Sequence, residues 1–223
     1  MGEPNVWRGG MQLELLMWKR TLRVIVSSVL GVALVFGGLT VVVSAGTATE
    51  SVKSTINEVI RILENQELKK PEQKEQRRRQ LEKVIGNRFD YEEMAKRTLG
   101  AHWAKLNDTD RREFVGLFTS LLTNTYADKI TGYSGEQVHY LNERLEEGGY
   151  AEVRTKIVSG KAEIPLDYRL LNKSSDWRVY DVIVDGVSLV NNYRGQFTKI
   201  IRSSSYADLV EQLRKKSEKI KSP

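Results

Sequence analysis

The chain has 223 residues, no cysteine, and a formal net charge of +6 built from 35 basic and 29 acidic side chains. Without cysteine there are no disulfides, no thiolate metal sites, no cysteine nucleophile and no lipoprotein-type cysteine anchor. The two signs are interleaved, which suits a soluble surface with mild attraction to anionic membranes or partners and lacks the one-signed stripe of a nucleic-acid binder.

At the N-terminus, Lys19, Arg20 and Arg23 precede a nearly unbroken apolar run over residues 24–43, and small residues at 43–45 or 46–48 offer a cleavage site. Met17 would serve as a translation start as well as Met1 does. The run is about 20 residues, longer than a typical signal-peptide core and long enough to cross a bilayer. Ser27, Ser28, Gly31, Gly37, Gly38 and Thr40 dilute it. A cleaved signal peptide and an uncleaved anchor both stay open, and either one exports the rest of the chain. The expected division is a leader over residues 1–48 and one folded domain over residues 49–223, a size able to bury a core.

The domain opens with helical spacing. Val52, Ile56, Val59/Ile60 and Leu63 predict a helix over 51–68, and Pro71 stands where the next helix, 72–85, tolerates proline. Arg77, Arg78 and Arg79 lie among Glu72, Glu75 and Glu82 and read as a solvated face with i,i+4 pairs rather than a nucleic-acid or headgroup site. Phe89, Asp90 and Glu93 form a staple and capping-box pattern, and Leu99-Gly100 closes that helix. After a short helix around Trp103, Asn107-Asp108-Thr109 starts the longest one, 110–131. Its apolar residues, Phe114, Leu117, Phe118, Leu121, Leu122, Tyr126 and Ile130, cover a face wide enough to lie against a sheet or across a cavity.

From Gly135 the period becomes two. Residues 150–159 and 161–171 alternate apolar and polar, predicting antiparallel strands wet on one face. Gly160 sits in the hairpin between them, and a weaker strand precedes them at 137–145. Pro165 implies a backbone position at an edge or bulge. Residues 177–184 are apolar on both parities, as in a strand covered on both faces. Asp185-Gly186 makes a turn, Ser188 caps a helix carrying Val190, Tyr193, Phe197 and Ile200, and 206–222 forms a last helix. The fold class is α+β: N-terminal helices and a long helix on one face of a curled four-stranded antiparallel sheet, with C-terminal helices.

The stretch 177–197, WRVYDVIVDGVSLVNNYRGQF, resembles the signature of the periplasmic toluene-tolerance/MlaC family, soluble lipid carriers of a phospholipid ABC transport system in Gram-negative envelopes. Two more segments carry the same resemblance in order: NRFDYEEMAKRTLGAHWAKL at 87–106 and TDRREFVGLFTSLLTNTYADKITGYSGEQV at 109–138. It spans roughly residues 49–215. It implies a nuclear-transport-factor-like or cystatin-like cone around a deep pocket, a phospholipid ligand, no cofactor and no enzymatic activity. It also implies a monomeric periplasmic carrier between two partners, an inner-membrane ABC transporter with an MCE-type protein and an outer-membrane lipoprotein–porin complex. Such shuttling maintains outer-membrane lipid asymmetry.

Catalytic chemistry is poorly supplied. His102 and His139 are the only histidines, without metal-binding spacing. Asp181 and Asp185, four residues apart on a strand, are separated by about 13 Å, too far for paired-carboxylate hydrolysis. They read instead as a hydrogen-bonding residue and a turn residue. A carrier needs an apolar cavity. The candidate lipid-binding residues are Val153, Ile157, Leu166, Tyr168, Leu170 and Val179 from the strands, closed by Tyr126, Ile130, Tyr133, Val187, Tyr193 and Phe197. On residue types alone these simply pack against one another; the resemblance favours a cavity for the set. Arg194 meets a headgroup or a partner, or else pairs internally with Asp181 or Asp185. The alternatives are a carrier of another envelope lipid such as a hopanoid, or a membrane-tethered interaction domain without a cavity. Mobility is expected at the seam near Gly186 and in the loop 132–136.

Overall fold

The computed structural model describes residues 47–160, 162–174 and 176–219. The leader readings lie outside these residues.

Helix α1 (Thr47–Glu64) begins earlier than its apolar stripe suggests. The reason is a cap from a distant strand: the N–H and hydroxyl of Thr49 donate to Glu143 Oε2 at 2.7 and 2.5 Å. Such a carboxylate satisfies donors that the first turn leaves open. The helix ends before residue 68 because the Asn65 side chain accepts from the N–H groups of Glu67 and Leu68, an alternative to continued helix. A 3-10 turn (Pro71–Gln73) leads into α2 (Lys74–Arg88). There Arg78 pairs with Glu75 at 2.9 Å and Glu82 at 2.8 Å, the solvated face expected. The helix runs on to Arg88, whose guanidinium binds Asp176, the Trp177 carbonyl and Thr55.

Asp90 caps α3 (Tyr91–Leu99) by accepting from Glu93 N–H at 3.0 Å. The reciprocal half of the capping box is replaced: Asp90 N–H donates to Val179 O, and the Glu93 carboxylate takes Arg97. Gly100 ends the helix at φ +55°, the left-handed region that glycine enters without strain. A 3-10 segment (Gly100–Lys105) and the Asn107 cap precede α4 (Asp108–Thr131).

Five antiparallel strands come next in sequential order: β1 (Gln137–Glu146), β2 (Tyr150–Ser159), β3 (Ala162–Lys173), β4 (Asp176–Val184) and β5 (Val187–Ser188). The fifth corrects the expected count of four. It arises because the two-residue turn Asp185-Gly186, with φ of +48° and +79°, folds Val187 back onto Val184 before the next helix starts. The sheet is curled and unclosed. Pro165 meets the broken part of the β2–β3 ladder, where Thr155 N–H donates to Asp167 Oδ1 at 3.2 Å instead of to backbone. Helices α5 (Leu189–Ser203) and α6 (Tyr206–Lys219) lie beyond the sheet in chain order.

Register assigns the faces. Val153 pairs with Tyr168, Ala151 with Leu170 and Leu170 with Val179, which puts them on one inner face that α1 crosses with Ala48, Val52 and Ile56. The outer face carries an ionic ladder: Glu152 faces Arg154 at 2.8 Å, Arg169 at 3.6 Å and Arg144 at 3.8 Å, and Arg169 reaches Asp181 at 3.6 Å. Strand β4 is covered on both sides, since Tyr180 turns outward into the helical core while Val179, Val182 and Val184 turn inward.

That helical core corrects one expectation. The wide apolar face of α4 is covered chiefly by α3, α5 and α6: Phe114, Phe118, Leu121 and Leu122 pack with Met94, Tyr193, Phe197, Leu209 and Leu213. Only Tyr126, near its C-terminal end, also touches the inner-face cluster. Three helices cover a broad stripe as completely as a sheet does.

Candidate functional site

The inner face is lined by apolar side chains and roofed chiefly by α1, with Phe89, Tyr126 and Leu189 also packed against it. Val153 and Leu170 are 0% exposed and Val179 is 1% exposed, with Leu166 and Tyr168 beside them. Six of the expected site residues therefore meet here: Val153, Leu166, Tyr168, Leu170, Val179 and Tyr126. Where α1 passes the edge strand, a groove of about 360 Å³ opens to solvent between Ile56, Ile60, Tyr133, Val138 and Tyr140.

The groove also carries the polar side chains Asn57, Gln137, His139 and Glu136, and hydrogen bonds from Ser134 hold the Glu136 carboxyl below its usual range. The Tyr140 hydroxyl is buried and has no hydrogen-bond partner among the described residues. Burial pushes its phenol up to about 12, and the Glu50 carboxylate adds to the effect. Burial also raises the Tyr168 phenol, with Tyr140 and Asp167 contributing. Both phenols hold their protons at neutral pH, so they can donate to an ester or phosphate oxygen without acting as a base. A second recess of about 350 Å³ lies on the outer side, lined by Leu141, Thr155 and Pro165 together with Arg154, Lys156, Glu163 and Asp167.

The other expected site residues lie elsewhere. Tyr193 and Phe197 belong to the helical core, in ring contact with each other at 5.6 Å and with Phe118 at 5.7 and 6.1 Å. Their helical spacing reported burial but not the cluster they join. Ile130 packs beneath α1 and α2 with Ile62, Leu63 and Leu81, and Tyr133 bridges from there to the groove. Ile157 is half-buried opposite Ile164 and Val138. Val187 is 40% exposed at the far edge of the sheet, paired with Val184 and on the same face as it but outside the buried cluster. Conversely, Ala48, Val52, Ile56, Val182, Val184 and Tyr140 join the site. The α1 stripe and the Val138/Tyr140 alternation were the signals that could have found them.

Asp181 serves structure. It accepts from Ser188 Oγ at 2.6 Å and Val190 N–H at 3.0 Å, fixing the start of α5. Arg169 is its ionic neighbour, so Arg194 does not form the internal pair that was one alternative for it. Among the described residues, no group of three or more His, Asp or Glu side chains gathers in a metal-binding arrangement. Nor is any described helix long and apolar enough to cross a membrane.

The architecture is an α+β frame whose curled antiparallel sheet packs its apolar inner face chiefly against α1. The family model described as "MlaC protein" matches residues 53–215, and the chain belongs to that family. Among curated relatives, the intermembrane phospholipid transport system binding protein MlaC of Haemophilus influenzae is 24% identical over 122 residues, 52% of this chain and 57% of that protein. Toluene tolerance protein ttg2D of Pseudomonas putida is 23% identical over 119 residues, 52% of this chain and 55% of that protein. The matched regions thus span little more than half of those relatives. The fold matches that of the phospholipid-binding protein from Ralstonia solanacearum, solved in complex with a phospholipid, with a TM-score of 0.69, 23% identity and coverage of 78% of this chain and 98% of that one.

Proposed function

We propose that this protein is a periplasmic carrier that holds phospholipid acyl chains on the inner sheet face beneath α1 and exchanges them between membranes. The observation that carries this reading is the apolar face itself, roofed chiefly by α1 and opening at the groove beside Tyr140. The family relatives named for phospholipid transport support it.

Energetics give the reading its form. Two acyl chains of about 30 methylenes together carry on the order of 20 kcal/mol of transfer free energy from water, at roughly 0.8 kcal/mol each. Unassisted release is correspondingly slow. Hand-over therefore takes place on docking complexes, which we assign to an inner-membrane ABC transporter with an MCE-type protein and an outer-membrane lipoprotein–porin assembly. The groove is open to solvent, so enclosing both chains requires the inner face itself to be uncovered. Loading accordingly lifts α1, which the Thr49–Glu143 contact clasps at its N-terminal end. The protein contributes binding and shape to this cycle, with no bond made or broken.

The test is to express the full chain in a Gram-negative host, purify the exported form without detergent, and record a native mass spectrum followed by lipid extraction. A mass excess of one phospholipid is the expected result. A hopanoid would change the cargo, and a ligand-free mass with no uptake from labelled vesicles would favour a packed interaction domain.

A further inference from the structure

Arg194 stands on the outward side of α5, exposed, on the helical flank of the molecule rather than at the groove. Its guanidinium lies directly on Gly100, where an added Cβ would come within 2.9 Å of Nη2, 3.1 Å of Nε and 3.3 Å of Cζ. Gly100 thus provides a bare seat at the end of α3. Among the described residues the guanidinium has neither a hydrogen bond nor an ion pair. Its donors remain unspent.

The two segments that meet at this contact share its sign. No acidic residue occurs between Ser188 and Ser205 or between Leu99 and Leu106, whereas Lys105, Lys199 and Arg202 are exposed and His102 is half-exposed. Positions 194, 195, 198, 199 and 202 share one side of a helix. In the middle of that side stands Gly195, with open space above it and nothing within 4 Å of a built Cβ. A glycine inside a helix costs up to about 1 kcal/mol relative to alanine, and no contact within the fold requires this one.

We propose that this side of α5, centred on Arg194 and Gly195, is the surface that docks an acidic protein surface on the receiving complexes. The planar guanidinium fork matches a carboxylate bidentately, and the bare Gly195 lets a partner backbone come close. A membrane surface fits less well, because the exposed large apolar residues among those described, Leu141, Leu145 and Val187, all lie on the sheet rather than on α5. The inference rests on the carrier reading for the identity of the partner, but its test does not depend on bound lipid.

Binding of the full chain to the ABC-transporter complex and to the outer-membrane complex in nanodiscs is measured by surface plasmon resonance, with empty phosphatidylglycerol-containing nanodiscs as control. Lipid content is measured separately by native mass spectrometry. R194E is expected to weaken binding to at least one complex about tenfold or more at low salt, with the difference shrinking as salt rises. R194K, which keeps the charge and loses the fork, should fall between R194E and the parent. G195Q should bind more weakly while melting no lower than the parent, which a purely structural role for this side of the helix would not produce. Lipid content should stay unchanged throughout. Absence of binding by the parent chain, binding indifferent to R194E, or an equal loss on empty nanodiscs would overturn the proposal. A parent chain that binds the complexes but contains no lipid would refute the carrier reading alone.

Discussion

The two apolar regions of this protein are built from different materials. The helical core interlocks aromatic rings, with Phe114, Phe118, Tyr193 and Phe197 in five contacts between 5.6 and 6.2 Å. The inner sheet face is mostly aliphatic, roofed by α1 and open along one groove. Rings in edge-to-face register resist displacement because their geometry is specific. Aliphatic side chains exchange one apolar neighbour for another at little cost. On the proposed carrier reading the first region is the frame and the second the part that is refilled.

The largest expected effect falls on the frame. Phe118→Ala removes a fully buried ring shared by three aromatic partners and should destabilise the fold by about 3–5 kcal/mol, measured by urea denaturation. Lipid bound per folded molecule should be unchanged; a selective loss of lipid would erase the distinction between the two regions.

A smaller loss is expected at the outer ladder. Burial raises the Glu152 carboxyl, but the hydrogen bond and charge of Arg154, with Arg144 and Arg169, outweigh it and hold the group below the usual range. A carboxyl whose folded value is lowered contributes fully above its unfolded value near pH 4 and loses that contribution as pH falls through the folded value. Glu152→Gln should therefore cost about 1–2 kcal/mol at pH 7, with the gap from the parent closing in acid. Denaturation curves at pH 7 and pH 3 would show this, and a pH-independent gap would contradict it.

At the roof, Glu143→Ala removes the cap on α1. It should cost about 1 kcal/mol while accelerating lipid exchange with labelled vesicles. Hydrogen exchange should show lipid protecting α1 and the loop 132–136, which contributes Tyr133 and Glu136 to the groove. Equal protection with and without lipid would count against a moving roof. The smallest effect is expected at Val187, exposed at the edge of the sheet and outside the buried cluster. Val187→Ser should change stability by under about 0.5 kcal/mol and leave lipid content unaltered, and a loss of lipid would mean that the inner face reaches further than β5.

Local chemistry was legible in the sequence wherever cause and effect are neighbours. The caps at Asp90, Asn107 and Ser188, the turn at Asp185-Gly186 and the alternation of β2 all act over a few residues. Part of the candidate site was legible for the same reason, since strand parity put Val153, Leu166, Tyr168 and Leu170 on one buried face. What failed were assignments that depend on which apolar surface meets which. Tyr193 and Phe197 have the spacing of buried residues, but spacing does not distinguish a cavity wall from the centre of a helical core. The early start of α1 depends on Glu143, 94 residues away in sequence, and the two-residue β5 is too short to leave a period.

Asp181 has a mechanical consequence. One carboxylate on β4 holds both the Ser188 hydroxyl and the Val190 N–H, and it also faces Arg169 on the neighbouring strand. A slip of β4 by one residue would reverse which side chains point inward and would uncap α5 in the same movement. The strand and the helix are thus geared to each other, and β4 cannot slide without releasing the start of α5.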